Sequence, residues 1–264
     1  MSRIKFWLIN VFILLLVACQ PKTRDENDIY IGTISGPETE LMQVAKSVAR
    51  EKYNLNITIF EFEDYNMPNS ALAEGSIDAN MFQHQPYLDI TLKHRNYDLA
   101  AIGKMYVYPM AIYSKKYKNL ATLPQHAKIG IPSDPSNEAR ALKLLEKAQL
   151  IKLGEADDLH LTPDKITDNP KQLKLQEATA AQLPRSLDDF DAACINTNFA
   201  LAAGLTPNDA LFKEDKDSPY VNIVVVRKAE QHEEKYQKLM QALHSEAVQA
   251  KAKSLFGEYA IAGW

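Results

Sequence analysis

Short strand patterns and helix patterns alternate along the chain from Asp28 onward. The segment IYIGTI at 29–34 has the apolar, β-branched character of a buried strand, and the segment at 36–53 repeats apolar residues at helical spacing. We also predict a short helix at 178–183 and a single long charged helix at 230–256. Such alternation is typical of α/β folds, in which helices cover a sheet. With 264 residues, the chain has enough material for one large or two moderate domains.

Two long extended runs interrupt this alternation, YVYPMAIYS at 106–114 and SPYVNIVVVR at 218–227. The first contains a proline, which suits an edge or a crossover better than a central strand. Because one run enters the middle series of strands and helices and the other leaves it, we predict two crossings between two lobes. We expect 29–110 and 221–264 to form the first lobe and 111–220 to form an inserted second lobe, with a ligand cleft between them.

The segment IGIPSDPSNEARALKLLEKAQLI at 129–151 predicts a strand, a tight turn and a helix. Asp134 is a suitable N-cap, and Pro135 fits the first helical position, where its missing N–H is not needed. Free backbone N–H groups at such a strand end attract anions, and Arg140 adds a guanidinium fork that matches a carboxylate. The segment therefore indicates a binding site for a small molecule with a carboxylate. The alternative is that Arg140 lies on a solvated helix face.

The first 18 residues have the composition of a signal peptide, with two basic residues followed by an apolar run at 6–17. That run is too short to cross a bilayer as a helix. The sequence LVAC that ends at Cys19 resembles the lipobox of bacterial lipoproteins, which implies cleavage before Cys19 and acylation of its sulfur and new amino group. The polar residues at 19–28 are predicted to be a tether. We therefore expect a membrane-anchored protein that faces the periplasm or the cell exterior, the alternative being an ordinary cleavable signal with an incidental cysteine.

Several kinds of chemistry have no support in the sequence. A net charge of −4 without a basic stripe argues against a nucleic-acid partner. The histidines lack metal-ligand spacing, and neither a phosphate-binding glycine loop nor a nucleophile elbow occurs. Asp188, Asp189 and Asp191 could coordinate a cation or, more simply, cap a turn. Cys194 is predicted to be a buried apolar residue. We expect neither an enzyme nor a protein with a metal or cofactor.

Six runs together resemble the NlpA family, the methionine-binding lipoproteins of the bacterial methionine ABC importer. In chain order they are DANMFQHQPYL, YVYPMAIYSKKYKNLATLP, IPSDPSNEARALKLL, DNPKQLKLQE, AAQLPRSLDDFDAACINTNFALAAGL and SPYVNIVVVR. The resemblance implies a type II-like, two-lobed periplasmic-binding-protein fold with a mixed sheet flanked by helices in each lobe. It also implies a monomer that closes over one methionine, L or D, and delivers it to a permease driven by an ATPase.

The same resemblance assigns roles to individual residues. Arg140 would hold the substrate carboxylate, and Asn196 and Asn222 would take the amino group through their amide oxygens. Two more asparagines would brace the pocket wall and three rings would form a slot for the thioether side chain, namely Asn137, Asn198, Tyr65, Phe82 and His84. The alternative for the rings is core packing, and for His84 it is a role at the start of the helix that Pro86 opens.

Three positions depart from the family pattern. Glu38 stands where the family commonly has histidine, Thr197 where it commonly has glycine, and Tyr108 where it usually has glutamate. Since Thr197 adds a Cβ beside the amino-group site, the preference between L-methionine, D-methionine and a methionyl dipeptide stays open. A receptor for another small amino acid and an envelope interaction lipoprotein are the alternative functions.

Overall fold

The computed structural model describes residues 25–157, 160–215 and 218–264. The predicted signal peptide, Cys19 and the first part of the tether lie outside these residues. The described strands are β1 (Asp28–Ile34), β2 (Asn56–Phe62), β3 (Ala79–His84), β4 (Leu99–Val107), β5 (Ala111–Tyr113), β6 (Lys128–Pro132), β7 (Lys152–Leu153), β8 (Ile166–Asp168), β9 (Lys174–Ala178), β10 (Ala192–Ile195), β11 (Phe212–Lys213), β12 (Val221–Arg227) and β13 (Ile261–Ala262). The described α-helices are α1 (Pro37–Tyr53), α2 (Pro68–Ala73), α3 (Gln85–Arg95), α4 (Pro135–Lys147), α5 (Thr197–Ala202), α6 (Glu234–Leu243) and α7 (Glu246–Phe256).

A six-stranded mixed sheet contains strands from both ends of the described chain, in the order β13-β4-β12-β3-β1-β2. Strand β1 pairs in parallel with β2 and β3, as βαβ crossovers require. Strand β12 lies antiparallel between β3 and β4. The late strand β12 therefore fills the centre of a sheet that the early strands began.

A five-stranded mixed sheet is built entirely from the middle of the chain, in the order β11-β5-β10-β6-β9. Strand β6 is parallel to both β9 and β10, whereas β5 is antiparallel to β10 and β11. The short strands β7 and β8 form a separate antiparallel pair.

The chain passes between the two larger sheets twice, from β4 to β5 through residues 108–110 and from β11 to β12. The run at 106–114 is divided there, because β4 ends at Val107, β5 begins at Ala111 and Pro109 lies between them. The predicted α/β fold with two lobes and mixed sheets is confirmed. We propose that the lobe boundaries lie at these crossings, with 29–110 and 221–264 in the first lobe and 111–220 in the second.

Each larger sheet has its own apolar core, and a third apolar cluster joins the lobes. In this third cluster Ile34 and Phe82 of the first lobe pack with Leu183, Ile195 and Phe199 of the second. All five side chains are buried. The cluster therefore holds the lobes together next to the cleft.

Two helix predictions are wrong. Ala178 ends β9 and residues 180–183 form turns instead of a helix, because the segment is short, is followed by Pro184, and buries Leu183 against the interlobe cluster. The predicted helix at 230–256 is divided into α6 and α7. The side chain of Ser245 accepts a hydrogen bond from the backbone N–H of Val248 and so begins a new helix. Within the described residues, no helix is both long enough and apolar enough to span a membrane.

Candidate functional site

A narrow cavity lies between the lobes. The empty space between its lining atoms is about 340 Å³. The lining residues are Tyr65, Phe82, Gln83, His84, Tyr87, Tyr108, Asn137, Arg140, Asn196, Thr197, Asn198 and Asn222. All eight residues that the sequence predicted to bind ligand are in this set, although they come from both lobes.

Arg140 is buried in the second lobe, with 3% of its surface exposed, so the alternative of a solvated arginine is wrong. Its Nε and Nη2 donate to the two carboxylate oxygens of Glu214 over 2.8 and 2.6 Å, and Nη2 also donates to the carbonyl of Tyr108 over 2.9 Å. Its guanidinium carbon lies 4.3 Å from the centre of the Tyr220 ring. Burial acts to lower the pKa of Arg140, but the charge and hydrogen bonds of Glu214 outweigh it and raise the pKa. Nη1 donates no hydrogen bond to a described residue.

Glu214 was not predicted from the sequence. Besides Arg140, its carboxylate accepts hydrogen bonds from the backbone N–H of Met110 and the hydroxyl of Ser218. Glu214 therefore links Met110 and Ser218, one from each crossing segment, to Arg140 in the middle of α4. It lies in the acidic run EDKD, whose composition indicates only a solvated loop, so no local signal marked it.

A side chain of the protein, rather than a ligand, accepts the hydrogen bond of a backbone N–H at the start of α4. Asp134 accepts a hydrogen bond from the backbone N–H of Asn137 over 2.9 Å, and Pro135 is the first helical residue, so the predicted cap is confirmed. The expectation that this N–H group is free for a ligand is wrong. Burial raises the pKa of Asp134, whereas its hydrogen bonds with Asn137 act in the opposite direction.

Asn137 links the two walls of the cavity. Its Nδ2 donates to Asp134, and its Oδ1 accepts from Nδ2 of Asn196 over 2.8 Å. The same oxygen lies 3.3 Å from Nε2 of His84, which belongs to the first lobe. The amide of Asn137 is therefore fully used within the protein.

His84 is a helix N-cap that also lines the cavity. Its Nδ1 accepts a hydrogen bond from the backbone N–H of Tyr87 over 3.2 Å, so Nε2 carries the proton and donates to Asn137. Burial, with the nearby charge of Arg140, lowers the pKa of His84 to about 3. The ring is consequently neutral throughout the physiological pH range, and its role at the start of α3 is confirmed.

Two asparagines keep an acceptor at the cavity. Asn196 donates through Nδ2 to Asn137, which leaves its buried Oδ1 without a hydrogen-bond partner in the described part of the chain. Asn222 donates through Nδ2 to Oε1 of Glu38 and more weakly to the carbonyl of Phe82, so its Oδ1 is also unused by the described residues. The two amide oxygens can therefore accept hydrogen bonds from a cationic group.

The rings of Tyr65, Phe82 and Tyr87 line the cavity, and Phe199 packs against Tyr65 without lining it. Tyr65 lies 5.7 Å from Phe82 and 4.9 Å from Phe199 between ring centres, and Tyr87 packs edge-on against both Tyr65 and Phe82. Burial and the nearby Glu38 raise the pKa of Tyr65 well above its ordinary value, so its hydroxyl remains protonated and donates to Oδ1 of Asn198 over 2.7 Å. Tyr87 and Phe199 were missed by the sequence analysis, although each stands within three residues of a predicted site residue.

Glu38 lies in the first turn of α1 with 2% of its surface exposed. Its Oε1 accepts from Nδ2 of Asn222 over 3.3 Å, whereas no described residue forms a hydrogen bond with Oε2. Burial raises the pKa of Glu38 to about 8, although the amides of Asn198 and Asn222 act in the opposite direction. The carboxyl group is therefore mainly protonated at neutral pH.

The other residues considered from the sequence have structural surroundings. The carboxylates of Asp188 and Asp191 pair with Lys115 and Lys116, and the side chain of Asp191 also caps the backbone N–H of Lys128. No group of metal-ligating side chains occurs in the three described ranges. Cys194 is buried in β10, as predicted.

Comparison with known proteins supports a single family. The model of the NlpA lipoprotein family matches residues 29–264. The chain is 46% identical to a protein named D-methionine-binding lipoprotein MetQ from Salmonella typhi, over 95% of this chain and 94% of that protein. A periplasmic substrate-binding protein of an ABC transporter from Coxiella burnetii is 54% identical, with a TM-score of 0.86 over 89% of this chain and 99% of that chain. A nutrient binding protein from Burkholderia cenocepacia, solved with bound methionine, is 46% identical, with a TM-score of 0.88 over 89% and 100%.

Proposed function

This chain belongs to the NlpA lipoprotein family, and from that premise we propose that it is a lipid-anchored substrate-binding protein that captures methionine outside the cytoplasm and delivers it to an ABC importer. The observation that carries the proposal is the narrow cavity between the lobes, which is lined by the guanidinium of Arg140, by asparagine amides and by aromatic rings. These groups complement the carboxylate, the ammonium group and the side chain of an amino acid with an apolar side chain. The methionine-bound relative supports methionine as the ligand.

Arg140 binds the ligand's carboxylate in this proposal. Its Nε and Nη2 are occupied by Glu214, so the ligand meets the remaining edge of the guanidinium, at Nη1. A guanidinium held by a carboxylate keeps one orientation and is ready to bind without rearrangement. The pair therefore positions the cation as well as neutralising part of its charge.

The ligand's ammonium group is held by Oδ1 of Asn196 and Oδ1 of Asn222. Both amides direct their NH₂ groups to other parts of the protein, so an acceptor faces the cavity in each case. An ammonium group has three donors and no acceptor, and these oxygens match it. Asn137 and Asn198 brace the wall through their bonds to His84 and Tyr65.

The thioether side chain lies among the rings of Tyr65, Phe82 and His84, with Tyr87 and Phe199 beside them. Burial of a methionine side chain contributes roughly 1.5–3 kcal/mol, and sulfur–ring contacts add about 0.3–1.5 kcal/mol. Hydrogen bonds to the charged groups contribute about 1.5–3 kcal/mol each. After ordering costs, these contributions suffice for a dissociation constant in the micromolar to nanomolar range.

Closure of the lobes is the signal that the protein presents to the transporter. Among the hydrogen bonds between the lobes, those from Tyr65 to Asn198 and from His84 to Asn137 join side chains on the two walls of the cavity. A ligand that contacts both lobes favours this closed arrangement. We propose that the closed monomer docks on a membrane permease whose ATPase powers import, while acyl chains on Cys19 hold the protein at the membrane. No catalytic step and no cofactor are part of this function.

Calorimetric titration of the soluble part, stripped of bound ligand, tests this function. L-methionine, D-methionine, leucine and a methionyl dipeptide are titrated in parallel. We expect one methionine per chain and weaker binding of the dipeptide, because the cavity is narrow. Absence of heat with every compound would disprove the methionine function, and a different ligand found by mass spectrometry of the co-purified protein would replace it.

A further inference from the structure

Among the described residues, no cation pairs with the buried carboxyl group of Glu38. In the described residues its only hydrogen bond is the long one from Asn222, and its second oxygen has no partner. Helix α7 supplies a positive charge near the start of α1, but that charge, on Lys251, pairs with the exposed Glu40. An unbalanced buried carboxylate is unfavourable unless something else provides the missing positive charge.

The groups around Glu38 do not provide that charge. In the described part of the chain, the charge of Glu38 raises the pKa of two phenols, the half-buried Tyr65 and the buried Tyr108, and both are uncharged. The charge of Arg140 acts to lower the pKa of Tyr65, but this guanidinium is paired with Glu214 in the second lobe. Facing Glu38 directly are the amides of Asn222 and Asn198, and both of these side chains line the cavity.

We propose that Glu38 supplies the counter-charge for the ligand's α-ammonium group, acting through the amides of Asn222 and Asn198. The inference rests on the proposed function and extends it to the class of ligand. Asn222 donates to Glu38 through Nδ2 and so directs Oδ1 at the cavity, where an ammonium group would be held one amide away from the carboxylate. The site then selects compounds with a free α-ammonium group beside the carboxylate.

Binding is thereby linked to ionisation of Glu38. In the free protein burial raises the pKa of Glu38 to about 8, so the group is mainly protonated at pH 7. A bound ammonium favours the carboxylate, lowers this pKa and releases a proton. The affinity for methionine therefore rises with pH up to about 8. His84 does not produce this dependence, because its pKa is about 3.

Titration of the unaltered protein with L-methionine at pH 6, 7 and 8, in buffers of different ionisation enthalpy, tests the linkage without any substitution. We expect close to one proton released per ligand at pH 7, and an affinity that rises by up to about tenfold per pH unit between pH 6 and 7.5. A flat profile without proton release would overturn the inference alone. Absence of heat at every pH would overturn the proposed function, and the inference with it.

The variant Glu38→Gln keeps the shape and the hydrogen-bonding capacity of the side chain but removes the charge. We expect it to bind methionine at least tenfold more weakly at pH 8 and to lose the pH dependence. Glu40→Gln, on the exposed side of the same helix turn, should keep both the affinity and the profile. A wild-type profile for Glu38→Gln would overturn the inference, and thermal melting checks that each variant is folded.

A ligand without the amino group separates an effect on the ammonium from a general effect on the pocket. Here 4-(methylthio)butanoate is the probe, because it keeps the carboxylate and the thioether of methionine. We expect it to bind weakly, equally well to the wild-type protein and to Glu38→Gln, and without proton release. An equal loss of affinity for both ligands in Glu38→Gln would show that Glu38 only maintains the structure, and would contradict the inference.

Discussion

The two lobes place ionisable groups of opposite kinds near the cavity. The second lobe presents Arg140, whose guanidinium is held by both oxygens of Glu214 and by the carbonyl of Tyr108. The first lobe places Glu38 behind Asn222, where its carboxyl group accepts a single long hydrogen bond and pairs with no cation among the described residues. The charge of Arg140 is thus balanced, whereas Glu38 is mainly protonated at neutral pH and has no such partner for its ionised form.

This difference separates two tasks in a binding site. A paired charge is rigid, and its pairing is maintained whether or not ligand is present, so it suits a fixed anchor for the carboxylate. An unpaired buried charge destabilises the free protein and is relieved only when a partner arrives, so it suits a group that responds to the ligand. The cleft therefore combines a preformed anchor in one lobe with a ligand-dependent charge in the other.

Removal of the paired charge has the largest expected effect. Arg140→Met leaves the partly buried Glu214 without its cation, and we expect the free energy of unfolding to fall by about 3–5 kcal/mol. Methionine affinity should fall at least 100-fold, since the charged anchor is absent. Urea denaturation and calorimetry measure these effects.

Lys147→Met, on the exposed face of α4, is the matched control for Arg140→Met and should change stability by less than about 0.5 kcal/mol. Wild-type stability and wild-type methionine affinity in Arg140→Met would show that Arg140 is not the charged anchor of the site.

Substitution of Glu214, the partner of Arg140, tests the same ion pair from its other side. Glu214→Gln should lower the free energy of unfolding by roughly 2–3 kcal/mol, because it leaves Arg140 buried without a counter-ion. Affinity should fall less than in Arg140→Met, since the guanidinium remains and gains a counter-ion when the ligand carboxylate binds. A loss of affinity equal to that of Arg140→Met would show that Glu214, rather than Arg140, governs the site. Denaturation with and without methionine distinguishes these results.

Glu38→Gln should change stability in the opposite direction. Folded Glu38 keeps its proton up to about pH 8, whereas the unfolded chain loses it near the ordinary pKa of 4.5. The native state thus binds more protons between these values, and the contribution of Glu38 to stability is present below pH 4.5 and is lost as the pH rises through 8. At pH 8 the ligand-free variant should be more stable than the wild type by roughly 2–4 kcal/mol.

At pH 5 this gain should be small. Urea denaturation at the two pH values measures it, and Glu40→Gln provides the control. Equal stability of Glu38→Gln and the wild type at pH 8 would show that the charge in the first lobe is already balanced.

The interlobe hydrogen bond of Tyr65 should have the smallest effect. Tyr65→Phe keeps the ring but leaves Oδ1 of Asn198 without its donor. The loss is about 1 kcal/mol, or roughly fivefold in methionine affinity, because the ring contacts persist. Tyr53→Phe, at the far end of α1, should leave the affinity unchanged. If Tyr65→Phe also has no effect, this bond does not contribute to the closed state.

Local patterns predicted most of the elements and Arg140, whereas the family resemblance implied the other predicted residues of the cavity lining. The cap of α4 was evident from Asp134 and Pro135, and the crossing at 108–110 from a proline inside an extended run. The partner of Arg140 was not predictable, because Glu214 is 74 residues away and lies in a run that has the composition of an exposed loop. The burial of Leu183 overrode the helical composition of its segment. Contacts between residues distant in sequence therefore determined the features that local sequence patterns did not predict.

A crystal structure of the ligand-stripped protein after incubation with L-methionine tests the central claim most directly. The account predicts one methionine in the cavity between the lobes, with its carboxylate about 2.7–3.1 Å from the guanidinium of Arg140 and its ammonium at similar distances from Oδ1 of Asn196 and Oδ1 of Asn222. A methionine bound in the reverse orientation, with its ammonium away from Asn222 and Glu38, or an empty cavity at saturating ligand, would contradict it.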